Sequence, residues 1–219
     1  MIYPSRGKYL PSGGSIIRAA FSDTGIEILK LLTANLTKDF TILKIAEGTR
    51  KTNRLTYSTV RRLEKEHLIT IQSKANLRLC KLSLKNPQTI ALIESLRWNE
   101  FTRRHPDVGL LVSDIVSKSE LPYFTLAIFG SYAKGTMTGK SDLDMLLVMP
   151  DRKLEVTIET AIKSARRLSN VPVHDVVVTC SEFVDMLSET KMNVAKETLE
   201  ARYIAYGAEA FYTLLGRSL

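Results

Sequence analysis

The 219-residue sequence predicts an α+β protein in two parts: a helical front half closed by a β-hairpin, and a rear mixed sheet backed by helices. Three observations carry this. Apolar residues recur at helical spacing between Ser22 and Leu63 and then give way to two short strand-like runs. Further on, an apolar run from Phe124 to Phe129 leads into Gly130-Ser131-Tyr132-Ala133-Lys134-Gly135-Thr136 and then Ser141-Asp142-Leu143-Asp144-Met145-Leu146-Leu147-Val148. Charge divides the same way: residues 1–105 hold 19 Lys or Arg against 8 Asp or Glu, and residues 106–219 hold 12 against 15.

After a Gly- and Pro-containing lead, Ser22 or Asp23 caps a helix expected from about Thr24 to Asn35, with Ile26, Ile28, Leu29, Leu31 and Leu32 on its apolar side. A second short helix, about Thr41 to Glu47, is expected to end at Gly48. A polar stretch from Thr49 to Asn53 follows. A third helix then begins with Thr56 as its cap; Val60 and Leu63 face inward, leaving Tyr57, Ser58, Arg61, Arg62 and Lys65 outward. Ile69 to Gln72 and Leu77 to Leu84 read as two strands around Ser73-Lys74-Ala75-Asn76, with a slip of apolar phase near Cys80 that suits a bulge or bend. Pro87 to Arg104 reads as a helix with Pro at its first position, and it either joins the halves or pairs with a second copy. Trp98 belongs to a core or an interface. Arg103 to Asp107 marks the boundary, giving domains 1–105 and 106–219.

Three helices followed by a hairpin resemble the winged helix-turn-helix domain of transcription regulators, over roughly Ser22 to Leu84. The resemblance implies a third helix in the major groove of double-stranded DNA and a wing along the phosphates. Tyr57, Ser58 and Arg61 would then read bases or backbone, while Arg62, Lys65, Lys74 and Arg78 would contact phosphate. The basic front half suits a polyanion. Winged helices also dock proteins or bind RNA, and that alternative stays open.

In the rear half the order reads helix (Val108 to Ser117), strand (Tyr123 to Phe129), turn and short helix, strand (Asp142 to Met149), long helix (Leu154 to Ser169), strand around Asp175, and C-terminal helices. Side chains alternate along a strand, so Asp142 and Asp144 are expected on one face. Two carboxylates on a rigid edge suit hard divalent cations, which take oxygen ligands. A Gly-Ser turn offers N–H groups and a hydroxyl to phosphate. In Val171-Pro172-Val173-His174-Asp175-Val176-Val177-Val178, Val173, Asp175 and Val177 share one face while His174, Val176 and Val178 share the other. A carboxylate in so apolar a run is costly unless it is paired, metal-bound or turned to water at an edge.

Gly-Ser followed by Asp-x-Asp, with Asp142 11 positions after Ser131, resembles the polymerase-β-type nucleotidyltransferase superfamily. The segment from Ala195 to Phe211 is similar to the closing part of its minimal, MNT-type prokaryotic members. That resemblance implies transfer of a nucleoside monophosphate from a nucleoside triphosphate, ATP first among them, with two Mg2+ or Mn2+ ions. Asp142 and Asp144 would contact both ions, and Asp175 would complete the site on the acceptor side and act as base. Gly130 and Ser131 would hold the β- and γ-phosphates. Lys134 and Lys140 either neutralise phosphate or are solvated loop lysines. No segment between the motifs is large enough to hold an acceptor, so the acceptor is expected to be a protein, such as a toxin partner, or a small molecule bound with the help of the front domain, a second subunit in a homodimer, or another chain. The alternative is a DNA-binding, antitoxin-like regulator whose nucleotidyltransferase domain senses a nucleotide or partner with little turnover.

Composition sets outer limits. No apolar stretch is long enough for a bilayer, and the first residues lack the apolar core of a secretory signal, so a membrane role is not expected. Cys80 and Cys180 lie far apart and read as free thiols in a reducing cytoplasm.

Overall fold

The computed structural model describes residues 22–74 and 77–218. The lead before Ser22 and residues 75 and 76, where the sequence places a turn, lie outside them. The described residues form two compact units, one of residues 22–29 and 39–83, the other of 30–38 and 84–218.

The first unit contains the start of α1 (Asp23–Ala34), α2 (Ile42–Thr49), α3 (Asn53–Lys65) and the antiparallel strands β1 (Ile69–Lys74) and β2 (Leu77–Leu82). Thr41 caps α2 by accepting from the Lys44 N–H, and Thr52 caps α3 by accepting from the Leu55 N–H. Ile45, Ala46, Val60, Leu63, Leu68, Ile69 and Cys80 are buried together with Ile28 and Leu29.

Three local expectations change here. Helix α2 runs through Gly48 and stops at Arg50, which takes the left-handed conformation (φ 55°) and donates its N–H to carbonyls of the last turn. Helix α3 starts at Asn53, so Thr56 is fully buried inside it instead of capping it, and the connecting turn is short. The hairpin register is unbroken from Ile69↔Leu82 to Lys74↔Leu77, with no bulge at Cys80. Cys80 instead bridges Phe40 through paired backbone hydrogen bonds, and its side chain is fully buried.

The second unit is built on a four-stranded sheet of order β5-β4-β3-β6, made of β3 (Thr125–Ile128), β4 (Leu143–Met149), β5 (Val173–Thr179) and β6 (Tyr203–Tyr206). Strands β4 and β5 run parallel, and β3 is antiparallel to both β4 and β6. Around the sheet lie α4 (Pro87–Arg104), α5 (Pro106–Ser119), α6 (Gly130–Lys134), α7 (Glu155–Arg166), α8 (Cys180–Ser188), α9 (Val194–Glu200) and α10 (Ala208–Ser218). This is the α+β architecture expected, a mixed sheet backed by helices.

Alternation along β4 decides which face is which. Leu143, Met145, Leu147 and Met149 join one core with Val108, Leu111, Val112 and Ile115 of α5 and with Ile158, Ile162 and Ala165 of α7. Asp144 therefore points to the opposite face. Helix α4 belongs to this unit and not to the front domain, because Phe101 is buried in the same core and stacks on Tyr203 of β6 with ring centroids 4.5 Å apart. Burial of a side chain that size contributes roughly 1.5–3 kcal/mol.

Strand β6 was not expected; its four residues lie in a segment without clear alternation. It is held by a buried polar cluster. Arg202 is 1% exposed and donates to Tyr212 Oη at 2.7 Å and to the Leu199 carbonyl at 3.1 Å. Arg97 donates to Glu94 at 2.6 Å and to the Arg202 carbonyl at 2.8 Å. Burial pushes the Tyr212 hydroxyl far above its usual range, so it stays a hydrogen-bond donor. Among the described residues no helix is long and apolar enough to cross a membrane.

Candidate functional site

Strand β3 delivers its last residues against β4: the Phe129 N–H donates to the Asp144 carbonyl at 3.1 Å. The chain then turns sharply at Gly130 into α6. Gly130 has φ +64°, and a Cβ built there would overlap Asp144 Oδ2 and lie 2.9 Å from its Cγ. Only glycine supplies both the left-handed backbone and the missing atom. Gly135, at φ +69°, ends α6, and Thr136 donates its N–H to the Ser131 carbonyl at 3.0 Å. The Gly-Ser turn is thus packed directly onto the second aspartate of the Asp-x-Asp pair.

Asp144 is half-buried at 27% side-chain exposure. Asp142 immediately precedes β4 and is exposed. The connecting loop is closed by Thr138 and Ser141, which exchange backbone and hydroxyl hydrogen bonds at 2.9–3.0 Å. Lys140 lies exposed in that loop. Lys134, at the end of α6, is also exposed and faces Glu200 at 3.8 Å, a separation at which solvent screening leaves little net attraction.

The three expected carboxylates do not converge. Parallel register sets Asp144 beside His174, and Met145 beside Asp175. Asp175 therefore shares the face of the buried Met145, where Arg166 of α7 meets its Oδ1 at 2.6 Å and also reaches the Val173 carbonyl. In this apolar run the Asp175 carboxylate is paired with the Arg166 guanidinium, which offsets the cost of burying its charge. On the Asp144 face stands His174, its Nδ1 3.2 Å from Asp144 Oδ1 and its side chain 65% exposed. Alternation already placed His174 apart from Asp175, but only the pairing register shows which of the two meets Asp144.

Among the described residues no three His, Cys, Asp or Glu side chains converge closely enough to hold a metal by themselves. Mg2+ in nucleotide enzymes is commonly held by one or two carboxylates together with substrate phosphates and water, and Asp142 and Asp144 fit that pattern.

In the first unit, Tyr57, Ser58, Arg61 and Lys65 are all exposed on α3, and Lys74 and Arg78 are exposed on the hairpin. Arg61 is partly engaged, 2.5 Å from Glu64, and Ser58 donates to the Leu55 carbonyl. Arg62 is turned aside and donates to Ser22 Oγ at 2.7 Å. Arg54 was missed: with α3 starting at Asn53, it lies seven residues, about two turns, before Arg61, and both are exposed. The signal that marks it is the cap at Thr52 instead of Thr56.

No curated protein matches the chain. Among solved structures it is similar to a predicted DNA-binding transcriptional regulator from E. coli, at 21% identity over 38% of this chain and 84% of that chain, with a TM-score of 0.34. The family model described as nucleotidyltransferase domain matches residues 112–202, the span that runs from within α5 to Arg202 and contains the Gly130 turn, Asp142, Asp144 and β5.

Proposed function

We propose that this protein is a nucleotidyltransferase that moves a nucleoside monophosphate from a nucleoside triphosphate, ATP first among them, to a protein or small-molecule acceptor. The observation that carries the reading is the packing of the Gly130 turn onto the Asp144 carboxylate within the segment that matches a nucleotidyltransferase domain. That packing holds a phosphate-binding turn and a carboxylate edge in one fixed geometry. Ser131 and the turn's N–H groups bind triphosphate oxygens, and Lys134 and Lys140 are near enough in sequence to offset their charge. Asp142 and Asp144 would hold Mg2+ or Mn2+, which when bound withdraws charge from the phosphates and favours departure of pyrophosphate. The acceptor hydroxyl gives its proton to solvent, and its oxygen forms the new bond to the α-phosphorus as the bond to the pyrophosphate oxygen breaks. Asp175, paired with Arg166 on the other face, is given no role in this reading.

A second activity is favoured by the exposed face of α3: the first unit binds double-stranded DNA as a winged helix, with Tyr57 and Ser58 toward bases or backbone and Arg54, Arg61, Lys65, Lys74 and Arg78 on phosphates. A regulator that binds DNA and turns nucleotide over slowly is the competing reading of the same chain.

Transfer of label from α-³²P nucleoside triphosphates in lysate from the native organism, with Mg2+ or Mn2+, tests the enzyme. The expected result is a labelled acceptor that is lost with Asp142→Asn plus Asp144→Asn. Equal labelling by that double variant would reject the assignment. Metal-dependent nucleotide binding without label transfer would favour the sensing regulator.

A further inference from the structure

We infer that His174 is the third metal-facing side chain of this site, and that the resulting carboxylate–imidazole donor set favours first-row transition ions such as Mn2+ and Co2+ over Mg2+. The inference rests on the proposed nucleotidyltransferase reading and adds the residue and the class of ion.

Register is the first support. In a parallel pair, residues side by side project to the same face, and His174 is the residue paired with Asp144. Distance is the second: Nδ1 and Oδ1 are 3.2 Å apart, close enough for both to meet one ion with a small adjustment of either side chain. Freedom is the third. The His174 side chain is 65% exposed, so it can turn toward a bound nucleotide without displacing core residues. Asp175 has no such freedom, because reaching the Asp144 face would require β5 to slip by one residue and would turn Val173 and Val177, which pack against the core, outward.

Ligand chemistry then sets the preference. Mg2+ takes oxygen donors and gives up its water reluctantly. An imidazole nitrogen instead suits later divalent ions, whose affinity for nitrogen donors rises along the first transition row. A site with two aspartates and a histidine gains less from Mg2+ than a site with three carboxylates. Since three protein donors do not converge unaided, the phosphates complete the coordination, and ion binding is coupled to nucleotide binding.

The experiment measures Mn2+ and Mg2+ binding to the full chain in the presence of a non-hydrolysable ATP analogue. Calorimetry gives the affinities, and pulsed EPR of the Mn2+ complex reports nitrogen coupling. The wild-type protein is expected to show a ¹⁴N imidazole coupling that disappears in His174→Asp. That variant is also expected to shift the Mn2+/Mg2+ preference about tenfold toward Mg2+. Asp175→Asn should leave both readouts unchanged. Mn2+ binding that depends on Asp142 and Asp144 but gives the same coupling and preference in His174→Asp would overturn the role of His174 and leave the nucleotidyltransferase reading standing. No nucleotide-dependent metal binding in the wild type would overturn both.

Discussion

The Asp144 carboxylate occupies the space that a side chain at Gly130 would need: Oδ2 overlaps the position of a Cβ, and Cγ lies 2.9 Å from it. The turn proposed to bind phosphate and the carboxylate proposed to hold metal are therefore one packed unit. Neither can shift without the other.

Gly130→Ala should consequently damage both parts. The added methyl displaces Asp144 and forces a left-handed backbone on alanine, a strain of about 1–3 kcal/mol. An ångström of misplacement typically costs on the order of 100-fold in rate. Label transfer should fall by about that factor while the protein still melts cooperatively. Transfer at the wild-type rate would show that the contact does not matter.

Asp175→Asn should behave in the opposite way. Its partner Arg166 is partly solvent-exposed, so screening limits the pair to about 1 kcal/mol or less. Nucleotide binding should stay within about threefold of wild type, and the melting temperature should drop by a few degrees at most. A loss of binding comparable to that of Asp144→Asn would return Asp175 to the site.

Replacing Arg54 and Arg61 together by alanine tests the exposed face of α3. Each phosphate contact contributes roughly 0.9 to the slope of log affinity against log salt. Duplex titrations from low to moderate salt should therefore show a slope reduced by about 2 in the double variant. An unchanged slope and affinity would remove this face from any nucleic-acid interface.

His105 introduces a pH dependence. Burial lowers its pKa from the ordinary 6.5, and neighbouring Arg104 adds to the effect. As pH falls through 6.5 the unfolded chain takes up the proton first, so the imidazole disfavours folding progressively below that pH and has no such effect well above it. Melting curves at pH 7.5 and 5.5 should show a larger loss for wild type than for His105→Gln. Equal losses would mean that the imidazole, whose ring packs 4.6 Å from Phe101, is not responsible.

The helices of the front half were legible because each carries an apolar stripe, yet two of their ends were misread. Gly48 looked like a stop signal, but the left-handed position falls on Arg50, two residues later. Thr56 looked like a cap, and the same residue type four positions earlier performs that role. Propensity identifies a kind of residue; hydrogen-bond geometry selects which copy is used. At Cys80 the sequence suggested a bulge, whereas the strand runs on unbroken and its backbone also pairs with Phe40, 40 residues away in sequence.

By itself the sequence determined the α+β class, the Gly-Ser turn and the Asp142–Asp144 edge, since all of these depend on local periods of two and 3.6 and on residues close along the chain. The tertiary structure alone decided that β6 closes the sheet, that α4 packs in the second unit, and that His174 stands beside Asp144 while Asp175 meets Arg166. Those outcomes depend on which strand pairs with which and in what register. Register is fixed by burying Leu143, Met145, Leu147 and Met149 against α5 and α7, an energy shared among residues far apart in the sequence.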